Sequence, residues 1–577
     1  MHYRLLIASA CALIGLSACN ADEDAASIDP APSVDAPSPQ RSAPEASAEP
    51  VDPFWRNASI YFLMTDRFAN GDPDNDRAYG RQPDGDTLRS FMGGDIAGII
   101  EKLEEGYFSD LGVTAIWTTP VIEQIRQPFQ EFGRSYPFHG YWPRDWTAVD
   151  KAFGTEEEFA RMIALAHEQG IRVLVDVIVN HAGPPLNDLD PRWPEDWVRG
   201  APDCDWTSFA GVATCQIVPA LQDIRTESEE PVDLPSHLLE KWKSEGRLDE
   251  ELAELDAFFE RTGYPRAPKY YIIKWQTDWV REYGVDGFRI DTAKHVEPEV
   301  WSILKAEAKH AFAEWKRSNP DKVLDDRDFY MMGEVFNYGV AGFQNAVAGT
   351  RAYDYGDIKV DFFDFGFDAL INMGFATHAK LPAADLFQLY ANEFDGAFKG
   401  VSVLNYISSH DDQAPLDPLR EAPFANANKL LLAPGAVQIY YGDELNRSLV
   451  VEGAMGDATL RSFMNWEALD TDEGKAILAH WRALSNFRKD HLAVGAGVHV
   501  EHGWSPYVFS RSLNEDGVED RVLIAMSDQP IASIKSFGVF SEGTRLRDAY
   551  RGDEAVVSDG RVTFSTPRTL MLLERVE

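Results

Sequence analysis

The sequence contains few cysteines, a shortage of basic residues and no long apolar run after its first 20 residues. Four cysteines among 577 residues are too few for a disulfide-rich scaffold. Lysines and arginines number 54 against 94 aspartates and glutamates, and the net charge of -40 argues against electrostatic binding to nucleic acid or anionic lipid. No internal membrane-spanning helix is expected. An acidic surface suits a neutral or cationic partner, although solubility alone also explains it.

The rest of the composition is that of a large folded protein. Hydrophobic residues make up 44% of the chain and aromatic residues 12%, enough to build packed cores. A length of 577 residues exceeds the usual size of one domain. We therefore predict two or three domains.

The N-terminus has the organisation of an export signal. Arg4 precedes a short apolar stretch, and residues 1–19 are too short to form a spanning helix. The sequence "LSAC" resembles a bacterial lipobox, which implies cleavage before Cys19 and lipid attachment to its thiol; an ordinary secretory signal is the alternative. Residues 20–51, rich in Ala, Pro and Ser, are predicted to form a disordered tether. We expect an exported protein of a Gram-negative bacterium, in the outer membrane or periplasm, whose only membrane contact is this anchor.

Two cysteines remain beyond the signal. Cys204 and Cys215 lie close together in the sequence of an exported chain. A disulfide that closes a small loop is favoured over a metal site, since a metal would need further Cys or His ligands nearby.

After the tether, short apolar segments alternate with amphipathic ones. A helical period begins at Pro298, which suits a first turn, and the pair Asn319-Pro320 ends it. Strands alternating with helices over several hundred residues indicate a parallel β/α fold, and their number favours an eight-stranded barrel over an open sheet. Seven segments have the pattern of buried strands: residues 59–64, 113–117, 172–179, 287–290, 329–335, 401–407 and 436–442.

Two regions depart from this alternation. Residues 182–268 interrupt it and contain the cysteine pair, so we predict an inserted subdomain after the third strand. Over residues 486–577, short alternating strands separated by turn residues indicate an antiparallel domain. The predicted architecture is an α/β protein: a (β/α)8 TIM barrel over residues 52–485, with the insertion, followed by a C-terminal antiparallel β-sandwich domain.

Ionisable residues lie at four predicted strand ends, where a β/α barrel carries its chemistry. Arg289 and Asp291 are two residues apart and point the same way on a strand, so the guanidinium should hold the pKa of Asp291 low, as a nucleophile requires. Glu334 ends an apolar run, where partial desolvation should raise its pKa towards that of a general acid. One such pair alone is usually structural, but two further strand ends repeat the pattern: Asp176, Asn180 and His181 at one, His410 and Asp411 at the other.

The order and the amino-acid sequences of these strand ends resemble those of a known protein family. "DVIVNH", "GFRIDTAKHV", "GEVF" and "SSHD" are similar to the conserved regions of the α-amylase family, glycoside hydrolase family 13, and the resemblance runs from about 55 to 485. Within it, the chain most resembles the periplasmic α-amylases of Gram-negative bacteria. This implies hydrolysis of α-1,4 bonds in maltodextrins or starch fragments. A transglycosylase of the same family and a non-catalytic glycan-binding lipoprotein are the alternatives.

The resemblance also implies roles for individual residues. Asp291 would be the nucleophile of a retaining mechanism, Glu334 the general acid/base and Asp411 the carboxylate that grips hydroxyls of the distorted sugar. "FHGYW" matches a further family motif, in which a histidine contacts the sugar and a tyrosine stacks beneath it. The implied substrate-binding residues are His139, Tyr141, His181, Arg289, Lys294, His295 and His410.

Calcium is the cofactor that the resemblance implies, because side-chain and carbonyl oxygens are its usual ligands. Asn180, Asp223 and the backbone carbonyl of His295 match the positions of one family site. The acidic turn "ANGDPDND" with "GGD" resembles a second, N-terminal calcium loop. Its implied ligands are Asn70, Asp72, Asn75, Asp76, Gly93 and Asp95. A monomer is expected.

Overall fold

The computed structural model describes residues 50–576 except 188, 201, 219, 413 and 516. The signal, Cys19 and nearly all of the tether lie outside the described residues. Across the part of the chain that is described, no helix combines the length and the apolar character needed to cross a bilayer.

Eight parallel strands close into a barrel, and each strand pairs with its neighbours in chain order. Nearly every strand residue is buried, as expected where helices cover the sheet. The predicted barrel is therefore confirmed, although its sixth strand was not among the segments predicted from the sequence. The strands are β1 (Ser59–Leu63), β2 (Ala115–Thr118), β3 (Arg172–Val177), β4 (Gly287–Ile290), β5 (Tyr330–Gly333), β6 (Ala369–Asn372), β7 (Ser402–Asn405) and β8 (Ala436–Tyr440).

The helices surround the barrel and fill the connections between its strands. α10 runs from Pro298 to Ser318, with the proline in its first turn and Trp301 among its buried residues, as the helical period predicts. In chain order the helices are α1 (Pro53–Asn57), α2 (Thr65–Phe68), α3 (Ile96–Glu104), α4 (Tyr107–Leu111), α5 (Glu156–Glu168), α6 (Phe209–Ala213), α7 (Ser236–Glu245), α8 (Leu248–Thr262), α9 (Pro268–Tyr283), α10, α11 (Phe375–His378), α12 (Ala383–Asp395), α13 (Pro423–Leu431), α14 (Asp472–Asp490) and α15 (Ala493–Ala496).

The chain between β3 and α9 leaves the barrel before returning to it. It contains α6, α7, α8 and a two-stranded ribbon, His181–Ala182 with Gln222–Asp223. Cys204 and Cys215 form a disulfide here with Cα atoms 4.7 Å apart, so that prediction is confirmed. Further short ribbons pair Ile122–Gln124 with Pro143–Val149, Phe129–Gln130 with Arg134–Ser135, and Tyr353–Asp354 with Lys359–Val360.

The C-terminal region is the predicted antiparallel β domain, but its strands join in one six-stranded sheet and not in two. The long strands β11 and β14 shift register between Met526 and Ser533, so both halves of the domain share them. The strands, in the spatial order β9-β10-β11-β14-β12-β13, are β9 (Val498–Trp504), β10 (Tyr507–Glu515), β11 (Val518–Lys535), β12 (Arg545–Asp548), β13 (Glu554–Val556) and β14 (Arg561–Arg575).

One hydrophobic cluster runs from the barrel into the C-terminal sheet. Tyr507, Phe509 and Leu572 belong to the same cluster as the barrel strands. The ring of Phe387 on α12 lies 5.5 Å from that of Phe509 in an edge-to-face arrangement. Since this contact is apolar and buried, the sheet is fixed against α12 by the same force that packs the barrel.

Candidate active site

Three carboxylates meet at the C-terminal ends of the barrel strands. Asp291 follows β4, Glu334 follows β5, and Asp411 lies in the segment after β7. The register pairs Ile290 with Gly333, so Asp291 and Glu334 leave neighbouring strands side by side. Backbone hydrogen bonds extend the pairing by one residue, since the Glu334 N–H donates to the Ile290 carbonyl at 2.9 Å.

Arg289 lies among the carboxylates. Its Nη1 is 2.8 Å from Oδ1 of both Asp176 and Asp291, and its Nη2 is 3.1 Å from Oε2 of Glu334. The arginine is 1% exposed, so its partners are desolvated with it. The single positive charge of Arg289 therefore lies beside three carboxyl groups, and ionising all three would be energetically costly. These three are Asp176, Asp291 and Glu334.

The electrostatics confirm one part of the sequence prediction and correct another. Burial raises the pKa of Glu334, as predicted, and the charges of Asp291 and Asp411 add to the effect. Burial also raises the pKa of Asp291 although Arg289 opposes it, so the predicted low pKa was wrong. The reason is that desolvation by burial, with the charge of Asp411 added to it, outweighs the effect of Arg289 on the Asp291 carboxyl.

Asp291 and Glu334 differ in the groups that donate hydrogen bonds to them. Asp291 accepts a hydrogen bond from Arg289 at 2.8 Å, whereas Glu334 accepts one from the Thr292 backbone N–H at 3.0 Å and contacts the guanidinium only as an ion pair. A charge-assisted hydrogen bond stabilises an ionised carboxylate more than a neutral donor does. Of the two carboxylates, Asp291 therefore has the partner that better stabilises its ionised form.

The third carboxylate has partners of its own. His410 Nε2 lies 2.9 Å from Asp411, and Arg461 forms an ion pair with the other carboxylate oxygen. Burial works to raise the pKa of Asp411, but His410 and Arg461 outweigh it and hold the pKa below its usual range. The side chain is 35% exposed, so it stays accessible to a ligand. Arg461 was not identified from the sequence, because it follows Asp411 at a distance and in no recognisable pattern.

Aromatic and histidine rings line one wall beside these groups. The Tyr141 ring is stacked near that of His410 at 5.4 Å, and its hydroxyl donates to Asp176 at 2.8 Å. His139 accepts a hydrogen bond from the Tyr141 N–H at 3.0 Å, and His181 Nε2 lies 3.0 Å from the Tyr141 carbonyl. The structure therefore brings the four rings together. Trp142, the last residue of the same "FHGYW" motif, is buried in a small separate cluster.

On the other side of Glu334, Lys294 lies between aromatic side chains. Its ammonium group donates to the Phe336 carbonyl at 3.0 Å and lies 5.2 Å from the Trp206 ring. Burial lowers the pKa of Lys294 to about 8. Trp206 is 56% exposed and Phe336 42%. Neither aromatic was predicted as a site residue, although Phe336 belongs to the quoted "GEVF" run.

His295 is more enclosed than its predicted sugar contact requires. The ring is buried, and its Nδ1 lies 2.8 Å from the Val212 carbonyl in α6. Burial lowers the pKa of His295 to about 3, so the ring is neutral. Its position joins the inserted segment to the barrel.

The predicted ligands of the first calcium site lie together. The Asn180 side chain is 2.9 Å from Oδ1 of Asp223 and 3.0 Å from the His295 carbonyl oxygen. Burial raises the pKa of Asp223 to about 7, although Arg199 opposes this from 2.9 Å. An amide, a carboxylate and a carbonyl carry oxygens of the kind that calcium binds. In this structure, however, the Asn180 amide presents its nitrogen to the other two groups, and Arg199 occupies one side of Asp223.

The N-terminal loop also gathers its predicted residues. Asn70 donates to Asp76 at 2.9 Å, and a Cβ added to Gly93 would lie 2.4 Å from the Asn70 amide. Asn75 has a buried side-chain oxygen without a hydrogen-bond partner among the described residues. These groups fit an oxygen-ligand site. Asp95 instead accepts N–H groups on both oxygens, from Gly71, Asp72, Asn75 and Gly98.

A further acidic group lies elsewhere in the described part of the chain. Glu254, Asp278 and Glu282 are close enough together to hold a cation. Lys274 already lies 2.6 Å from both Glu254 and Asp278. We therefore describe this group as an ion-pair network.

Residues 62–481 match the family model for the catalytic domain of alpha amylase. The chain is 34% identical over 516 residues to the periplasmic alpha-amylase of Escherichia coli (strain K12), covering 79% of this chain and 70% of that protein. It is 26% identical over 491 residues to the cyclomaltodextrin glucanotransferase of Geobacillus stearothermophilus, covering 84% of this chain and 61% of that protein. An Anoxybacillus alpha-amylase structure shares the fold, with a TM-score of 0.62 at 23% identity over 91% of this chain and 99% of that one.

Proposed function

Because the chain belongs to the α-amylase family of glycoside hydrolases, we propose that it hydrolyses α-1,4-glucosidic bonds of maltodextrins and starch fragments with retention of configuration. The observation that carries the proposal is the placement of Asp291 and Glu334 on adjacent strands around one guanidinium. Neighbouring strands are about 4.8 Å apart. That spacing suits the separation of about 5 to 5.5 Å between the two carboxyl groups of retaining enzymes, and not the wider separation of inverting ones.

In the first step Glu334 protonates the glycosidic oxygen while Asp291 attacks the anomeric carbon, which gives a covalent glycosyl ester and releases the leaving sugar. The now ionised Glu334 then takes a proton from water, and the resulting nucleophile displaces Asp291 from the anomeric carbon. The raised pKa of Glu334 serves the first step, because the group must be protonated when the substrate binds.

The remaining residues position the sugar. Asp411, ionised between His410 and Arg461, is accessible to accept hydrogen bonds from sugar hydroxyls. The Tyr141 face offers an apolar surface to the C–H face of the pyranose. Lys294 and the exposed Trp206 and Phe336 lie on the side that receives the leaving part of the glucan.

Transglycosylation is the second candidate activity. Two exposed aromatics beside Lys294 favour a sugar acceptor there over water. Relatives of this chain include a cyclomaltodextrin glucanotransferase. Hydrolysis remains the first proposal, since the identity to the periplasmic alpha-amylase is higher.

We also propose that calcium stabilises the enzyme. Asn180, Asp223 and the His295 carbonyl would hold one ion, and the loop around Asn70 and Asp76 would hold a second. The ion would supply positive charge that offsets the buried Asp223 carboxylate. Its role would be structural, because it joins the inserted segment to the loop after β4.

Export is proposed from the similarity to a periplasmic protein and from the N-terminal sequence. Lipid attachment at Cys19 would be seen as a mass increase on that residue in protein purified from membranes. A Cys19→Ala variant should lose the lipid and leave the membrane fraction.

A timed product profile tests the activity. Wild type, Asp291→Asn and Glu334→Gln would be incubated with maltoheptaose and soluble starch. Release of short maltooligosaccharides with α-configured new reducing ends by wild type alone supports the proposal. Longer or cyclic products would favour the transferase, and β-configured ends would contradict retention.

A further inference from the structure

We propose that a groove between the barrel helices and the C-terminal sheet is a second binding site for an α-glucan chain. It has a volume of about 830 Å³, within the usual range of about 300 to 1,000 Å³ for ligand pockets. The groove is separate from the carboxylate cluster, since none of its lining residues contacts Asp291, Glu334 or Asp411. The choice of ligand rests on the proposed function.

Aromatic rings form two sides of the groove. Trp504, at the end of β9, is 63% exposed, and Phe424, in the first turn of α13, is 44% exposed. Both rings line the same groove, so together they form one exposed aromatic surface. Each offers a flat apolar surface of the kind that packs against the C–H face of a pyranose ring.

Contacts from His480 and Tyr550 hold the Phe424 side of the groove in place. His480 on α14 lies 2.7 Å from the Tyr550 hydroxyl through Nδ1 and 3.1 Å from the Phe424 carbonyl through Nε2. The His480 ring is 5.1 Å from the Phe424 ring and 5.5 Å from the Tyr550 ring. The groove wall is therefore formed before any ligand arrives, which lowers the entropic cost of binding.

The polar lining suits a neutral hydroxylated ligand. Asp385, Asp528 and Gln529 are exposed at its edge. Asn428 also lines it, and its side-chain oxygen has no hydrogen-bond partner among the described residues. Lys429 also lines the groove and donates to the Ala379 carbonyl at 2.6 Å. Two carboxylates against one lysine, with a net charge of -40 on the chain, disfavour an anionic ligand. Carboxylates and amides bind sugar hydroxyls well.

The position of the groove connects it to the active site. Each helix of a β/α barrel runs opposite to the strand before it, so its first turn lies beside the catalytic face. Ala383 and Asp385 come from the first turn of α12, and Phe424 from that of α13. α13 follows the segment that carries Asp411. The groove thus opens towards the catalytic face of the barrel, so we expect it to help hold a long glucan there and to have no effect on a short one.

Affinity electrophoresis through soluble starch tests this, with the Glu334→Gln background used to prevent digestion. Trp504→Ala and Phe424→Ala should bind the starch about five to ten times more weakly than the parent, because each removes an aromatic anchor. Trp504→Tyr should bind nearly as the parent does. Phe537→Ala is the matched control, since Phe537 is an exposed aromatic of the same domain that does not line the groove.

Kinetics on the active enzyme separate this proposal from the proposed function. Trp504→Ala should raise KM for soluble starch about fivefold and leave kcat/KM for maltoheptaose within about twofold. Equal retardation of Trp504→Ala, Phe424→Ala and the parent would overturn the second site while wild-type hydrolysis of maltoheptaose still supported the first proposal. Absence of that hydrolysis would overturn the proposed function, and the glucan assignment of the groove with it.

Discussion

Replacing Arg461 by lysine should impair catalysis by misplacing Asp411. Arg461 forms an ion pair with Asp411, lies 2.6 Å from Asp457, and donates through Nε to the His410 carbonyl at 3.0 Å. A lysine keeps the charge but has one nitrogen, so it cannot make all three contacts. Asp411 would retain His410 as a partner and lose the second point that fixes its orientation.

The magnitude follows from burial and geometry. Breaking a fully buried charge pair costs about 3 to 5 kcal/mol. The Asp411 side chain is 35% exposed and lysine preserves the charge, so we expect about 1 to 3 kcal/mol of lost stability. A misplaced catalytic group can cost about 100-fold in rate. We therefore expect kcat/KM for maltoheptaose to fall about 10- to 100-fold. The loss should be mainly in kcat, because in the proposed mechanism Asp411 binds the sugar hydroxyls most strongly when the sugar is distorted.

Steady-state kinetics and thermal unfolding would be measured for Arg461→Lys beside Arg81→Lys. Arg81 makes a buried bidentate pair with Asp150, at 2.7 and 2.8 Å, and contacts none of the three carboxylates. The control should lose comparable stability and keep kcat/KM within about twofold. If Arg461→Lys also kept its kcat/KM, or lost it through KM alone, the argument that Arg461 positions Asp411 would be refuted.

Three further predictions follow from the same site. KM should rise as the pH passes above about 8, because Lys294 loses its proton there and binds sugar hydroxyls less well. Lys294→Met should show a higher KM without this pH dependence. A variant whose KM changed with pH as that of the wild type does would contradict this role of Lys294. Calcium added after chelation should raise the midpoint of thermal unfolding, because an ion at 100 times its Kd adds about 2.7 kcal/mol to the free energy of unfolding. Asp223→Asn should lose most of this gain. Equal midpoints with and without calcium would exclude the site. Trp206→Ala with Phe336→Ala should lower the ratio of transfer to hydrolysis in chromatographic product profiles at high maltoheptaose, and an unchanged ratio would remove these aromatics from the acceptor site.

The sequence predicted the barrel well where apolar segments were long or flanked by clear signals. The helix from Pro298 to Ser318 has a proline at its start and Asn319-Pro320 at its end, and both bounds agree with the structure. Strand β6, Ala369–Asn372, was missed because it follows a region of aspartates and phenylalanines that resembles a loop. Its place in the barrel is set by pairing with β5 and β7, which no local pattern reveals.

Site residues that directly follow a barrel strand could be predicted from the sequence, and those from other segments could not. Asp291 and Glu334 follow apolar runs, and their neighbourhood in space follows from the barrel. Arg461 and Trp206 come from loops far along the chain, so their contacts depend on tertiary structure alone. The pKa of Asp291 was misjudged because the sequence shows its neighbour Arg289 but neither the burial of the carboxyl nor the nearby charge of Asp411.

Mass spectrometry of a trapped intermediate tests the central claim most directly. Glu334→Gln would be treated with a fluorinated maltosyl fluoride, whose good leaving group allows the first step without an acid and whose ring fluorine slows the second. The account predicts a glycosyl adduct on the peptide that contains Asp291, and none in Glu334→Gln combined with Asp291→Asn. An adduct on another residue, or hydrolysis of the fluoride with inversion and no adduct, would contradict a retaining mechanism through Asp291.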